Sequence, residues 1–188
     1  MNKKQTIISV CVSTVFAIAP AFGAVKVREC PIRKPTPASY TWNFRQEANN
    51  IFTDIQQDAW QAQYHAEVLQ SMVGRADELS WLSNLSQLNQ IRDAVNHIGA
   101  QMCRLETIRR VLAPWQQRTV DRLDKTVMLM AYNTQDAIAF GNIHRTTLWV
   151  PTYGKYVNTL YTEAKGLTHS MNNAVEYAKA GTGYKTAS

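Results

Sequence analysis

Between Tyr153 and Ala178, apolar residues return at alternating four- and three-residue steps: Tyr153, Val157, Leu160, Ala164, Leu167, Met171, Ala174 and Ala178. This spacing lays one apolar stripe along one side of an α-helix, and such a stripe has to be buried against a surface of matching length. Three similar stripes lie upstream. The first is Phe44, Ala48, Ile51, Ile55, Ala59, Ala62, Ala66, Leu69 and Val73. The second is Leu82, Leu85, Leu88, Ile91, Val95, Ile98, Met102, Leu105, Ile108 and Leu112. The third is Val120, Leu123, Val127, Met130, Ala137 and Phe140. Four single-stripe helices with short connections are most economically buried as an all-α, up-down-up-down four-helix bundle. No strand-like alternation competes with that reading.

The punctuation between stripes is uneven. Gly74 stands where a C-terminal cap belongs, and Asp77 or Ser80 can cap the second helix. Gly141-Asn142 is expected to end the third helix, and Trp149-Val150-Pro151 to form the loop before the fourth. Val111-Leu112-Ala113-Pro114 has no glycine or asparagine. Pro114 suits the first turn of a new helix, so a hairpin is expected there. The alternative is a kink in one continuous helix from about 80 to 141.

The N-terminal part reads differently. Met1-Asn2-Lys3-Lys4 is a positive start, Thr6 to Ala19 an apolar run, and Pro20-Ala21-Phe22-Gly23-Ala24 a small-residue segment. This order is that of a secretory signal peptide, and the run falls short of the roughly 20 apolar residues of a membrane span. Residues 1–23 are read as the signal, with cleavage after Gly23 or, alternatively, after Ala21. The mature chain is then expected to be periplasmic or secreted and to carry no transmembrane segment, its longest strongly apolar run being Val127 to Tyr132. Removal of residues 1–23 takes away Lys3 and Lys4 and no acid, so the formal charge falls from +6 to +4. Residues 24–40 hold Pro31, Pro35 and Pro37 with Lys26, Arg28, Arg33 and Lys34 against Glu29, an extended basic arm in which a helix interior is forbidden. The bundle is expected over 41–180 and a loose tail over 181–188.

Two cysteines follow the signal, Cys30 and Cys103. In an oxidising compartment they are expected to form a disulfide that clamps the arm to the second helix. Catalytic signatures are missing: no Gly-x-Ser-x-Gly, no His-Glu-x-x-His and no phosphate-cradling glycine loop occurs. The four histidines, His65, His97, His144 and His169, include no Glu-x-x-His pair. Asp93 and His97 share a helical spacing, but His97 points off the stripe and reads as solvated or hydrogen-bonded. Of the first helix's acids only Asp58 lies near the seam. The methionines fall largely on apolar stripes, as core filling requires. No cofactor and no metal is expected.

Charge and aromatics carry the remaining signal. Arg104, Arg109, Arg110, Arg118, Arg122 and Lys125 crowd around the second connection and, with the arm, would give the bundle a basic pole. Trp42, Trp81, Trp115 and Trp149 lie near helix ends, and Trp149, Tyr153 and Tyr156 cluster in one connection. Such aromatics either cap the core or anchor a partner. Ala113-Pro114-Trp115-Gln116-Gln117-Arg118, Asp121-Arg122, Asn133-Thr134 and Trp149-Val150-Pro151-Thr152-Tyr153 resemble segments of exported bacterial helical proteins, a resemblance over about a third of the chain that implies no activity. The expectation is a non-enzymatic envelope protein that binds a protein partner or an anionic envelope surface through its ends, and not nucleic acid. A small-ligand, haem or metal carrier with a site between helices is the alternative.

Overall fold

The computed structural model describes residues 43–73 and 80–183. They form an all-α four-helix bundle: α1 (Phe44–Val73), α2 (Trp81–Ile108), α3 (Pro114–Ile143) and α4 (Pro151–Gly183). The basic arm, the signal segment, Gly74 and Asp77 lie outside the described residues; of the tail expected over 181–188, residues 181–183 continue α4 as helix and 184–188 lie outside the described residues. Each helix packs on two neighbours, in the ring α1–α2–α3–α4 and back to α1, with the broadest seams along α1. Cross-helix bonds show the antiparallel order. Glu47 at the start of α1 meets Arg104 near the end of α2, whereas His65, further along α1, meets Gln87. Gln56 likewise reaches Asn172 of α4, and Gln70 reaches Asn158.

The four stripes form one core. Every member of the α4 stripe is buried, as are Ala48, Ile55, Ala59, Ala62, Ala66 and Leu69 of α1. The alanines leave room for close approach, and Thr168 Oγ1 of α4 donates to the backbone carbonyl of Ala59 at 3.1 Å. Departures from the stripes occur near helix ends. Leu82 is 75% exposed, because α2 begins at Trp81 and it is Trp81 that turns inward. Gly141 does not end α3. It is buried within the helix, where an added Cβ would stand 2.1 Å from Trp81 Cζ3, so the absent side chain is the space the indole occupies. Helix α3 runs on to Ile143, and His144 caps it.

The second connection is a hairpin, not a kink. After a 3-10 turn over Arg109–Val111, Leu112 and Ala113 are both extended, and Pro114 opens α3. Proline excludes its predecessor from the helical region, so the chain turns here without glycine. Leu112 folds back into the core as a plug. Leu148 does the same at the opposite end, three residues before Pro151.

Polar side chains fix the ends. Asn43 Oδ1 accepts from the Gln46 backbone N–H at 3.1 Å and caps α1. Gln116, almost fully buried, accepts from the Ala113 N–H at 2.9 Å and donates both to the Arg45 carbonyl and to Asn49 Oδ1. One glutamine thus caps α3 and ties its start to the start of α1. At the other end, Tyr153 Oη donates to Asn84 Oδ1 at 3.1 Å while Asn84 Nδ2 donates to the Ser80 carbonyl.

Candidate functional site

The six basic residues of the expected pole do not act as one patch. Arg104 is committed to Glu47 and Arg109 to both Glu106 and Asp121. These pairs staple α2 to α1 and the 3-10 turn to α3. Arg110, Arg118, Arg122 and Lys125 are exposed and have no ion-pair partner among the described residues. Arg118, Arg122 and Lys125 follow one another at i, i+4 and i+7, which places them on one face of α3.

The same face continues upward into apolar side chains. Leu129 and Tyr132 extend the row by a further four and three residues, with Met128 beside them, and all three are at least 40% exposed (42%, 55% and 50% for Met128, Leu129 and Tyr132). From Arg118 to Tyr132 the face spans about 21 Å of helix. Acids border it: Asp121 is held by Arg109, Asp124 is half-buried and Asp136 is exposed beyond Tyr132. The apolar half of this face is not part of the buried stripe, yet the sequence carries its signal. Six consecutive apolar residues, Val127 to Tyr132, turn through more than a full circle at about 100° per residue, so some must face outward. Among the described residues, Arg118, Arg122 and Lys125 thus place exposed positive charge along the first half of α3, with Arg110 at the turn before it.

The aromatics divide into core and surface. Tyr153 is fully buried, stacked on Phe140 at 6.2 Å, and cannot anchor a partner. It is the first residue of the α4 stripe, which already assigned it to the core. Burial pushes its phenol pKa well above the ordinary value. Tyr156 is half-buried against Phe140 at 5.8 Å. Trp81 fills the space over Gly141, and Trp115 is set between Phe52 at 5.9 Å and Tyr177 at 5.0 Å. Trp149 alone of the connection's three aromatics is exposed, at 64%. Trp42 lies outside the described residues.

The titratable side chains form no reactive constellation among the described residues. His97 Nδ1 meets Asp58 Oδ2 at 2.8 Å across the α1–α2 seam, so its partner is Asp58 and not Asp93. His65 Nδ1 meets Gln87 Oε1, His144 stacks on Phe140 and His169 meets Asn173. No group of three or more His, Cys, Asp or Glu able to hold a metal occurs among the described residues. Glu163 of α4 is half-buried, and burial raises its pKa while the Asn133 amide, 2.7 Å away, pulls it back. Cys103 is half-buried on α2 beside Arg104; Cys30 lies outside the described residues. Among the described residues no helix is long and apolar enough to cross a membrane. No protein-family model, characterised protein or solved structure matches the chain.

Proposed function

We propose that the protein is an exported, non-enzymatic envelope protein that rests on an anionic lipid surface through the outer face of α3. The observation that carries this reading is the continuous row Arg118, Arg122, Lys125, Leu129, Tyr132, with Met128 alongside. Cations without an ion-pair partner among the described residues stand next to apolar side chains that keep about half of their area in solvent. An anionic head-group layer rewards both at once. Each arginine or lysine near such a surface contributes about 1 kcal/mol, and apolar side chains at the acyl boundary add to it. Three cations and three apolar groups supply reversible, salt-sensitive attachment, not the hold of a spanning helix. The signal-like N-terminus supports delivery to a compartment bounded by such lipid.

Co-sedimentation with vesicles tests the reading. The protein should pellet with phosphatidylglycerol-containing vesicles, remain in solution with pure phosphatidylcholine, and be released as salt is raised. Arg118→Glu with Arg122→Glu and Lys125→Glu should abolish the anionic preference with the helical content unchanged. Equal partition onto neutral and anionic vesicles, or none onto either, overturns it.

A further inference from the structure

A second surface lies between α1 and α4, away from the α3 face. Here Trp60 and Tyr64, one helical turn apart on α1, are 51% and 61% exposed. With Gln63 and Glu67 they form one wall of an open groove of about 440 Å³, and Lys165, Thr168, His169 and Asn172 of α4 form the other. A core does not explain two large rings left in water side by side, and the groove's size is within the usual range of small-ligand sites.

The groove is held in shape by bonds across the α1–α4 seam, one of them made by the Asn172 amide of its own wall. Thr168 Oγ1 donates to the Ala59 carbonyl and draws the two backbones together at the floor. Gln56 and Asn172 join across one end at 2.8 Å, and Gln70 and Asn158 join further along the seam at 2.9 Å. The α1 segment between these amide bridges is about 21 Å long. The Tyr64 ring meets His65 edge-on at 5.2 Å, and Gln87 fixes His65 in turn.

We infer that this groove binds an oligosaccharide. A pyranose offers apolar C–H faces and an equator of hydroxyls. Aromatic faces carry negative charge density that attracts C–H edges, so exposed Trp60 and Tyr64 suit the first. Gln63, Glu67, Lys165 and His169 supply donors and acceptors for the second, and Asn172, whose Oδ1 accepts from Gln56, adds its Nδ2 as a donor. The composition argues against a protein partner, because the buried centre of such an interface is depleted of charge, and here Glu67 and Lys165 lie among the rings.

Calorimetric titration of the full chain with N-acetylglucosamine tetramer and with cellotetraose provides the test, with circular dichroism as a control on folding. Saturable binding of either sugar is expected, weakened at least tenfold by Trp60→Ala and by Tyr64→Ala and unchanged by Trp149→Ala. Because Trp60 and Tyr64 are exposed, both variants should fold. Failure of both sugars to bind, or binding that Trp60→Ala and Tyr64→Ala leave intact, overturns the inference. Neither result bears on attachment through α3, which Trp60→Ala should leave unaltered in the vesicle assay.

Discussion

At the residue scale, two glycines on exposed-looking helix positions have opposite meanings. Gly141 is the socket for the Trp81 indole, so Gly141→Ala should cost about 1–3 kcal/mol by overpacking, despite alanine's better helix propensity. Gly166 has nothing within 4 Å of an added Cβ, so Gly166→Ala should stabilise by roughly 0.5–1 kcal/mol. Thermal melts of the two variants should move in opposite directions. Tyr153 gives a second test. Tyr153→Phe leaves Asn84 Oδ1 buried without its donor and should cost about 1–2 kcal/mol. The raised phenol pKa adds a pH signature. The unfolded chain releases this proton near pH 10 and the folded chain holds it higher, so stability should fall as pH rises above about 10. Tyr153→Phe should lack that part of the slope. These roles differ in legibility. The Tyr153 heptad position announced a core residue, but a Gly-Asn pair at the end of a stripe looks the same whether the glycine ends a helix or receives a tryptophan from another one.

At the scale of the element, the second connection depends on Gln116. It serves the Ala113 N–H, the Arg45 carbonyl and Asn49, so Gln116→Ala strands three polar groups and should cost about 2–3 kcal/mol in chemical denaturation. Glu163, on the α3–α4 seam, works the other way. Its pKa is raised on folding, so the folded state binds its proton more tightly than the unfolded chain. That stabilisation is present at acidic pH and is lost as pH rises through the folded-state pKa. Glu163→Gln should raise the melting temperature at neutral pH and bring little change in acid. All four helices were legible because each stripe repeats over many turns and so averages out single exceptions. The turn at Pro114 was only half legible: proline excluded a helical Ala113, but what held the turn was a glutamine whose partners lie about 70 positions away in sequence (67 to Asn49, 71 to Arg45). No local pattern reports such a bond. The α3 face is obscured by the same averaging that reveals the helix, since Met128, Leu129 and Tyr132 merge into one apolar run with Val127, Met130 and Ala131 of the buried side.

At the scale of the whole molecule, the hairpin sets the shape. Four antiparallel helices of about 30 residues predict a particle about 45–55 Å long in solution scattering. A length near 90 Å would mean that the hairpin opens. The expected disulfide fits this arrangement. Arg104 pairs with Glu47, so Cys103 stands level with the start of α1. Twelve residues, 31–42, separate Cys30 from Asn43, enough extended chain to span up to about 40 Å. A Cys30–Cys103 bond should stabilise by about 4 kcal/mol on the chain-entropy model. Thiol counting on denatured, unreduced protein from the exported fraction should find no reactive thiol, and two per chain would refute the bond. Of the expected pole, Arg104 and Arg109 are drawn into pairs with Glu47, Glu106 and Asp121, contacts that no local sequence pattern reports because they form only once the helices assemble.

The ring of helices is uneven, and this has a kinetic consequence. Helix α1 has broad seams on both sides, whereas α3 rests on narrower ones and turns Met128, Leu129 and Tyr132 to solvent. The native state should therefore open by stages, with the amides of α3 trading hydrogen for deuterium ahead of those of α1, since local opening follows local contact density. A membrane that covers the outer face of α3 would slow that exchange in α3 first. The helix that contributes least to holding the bundle together would then be the one whose order reports attachment.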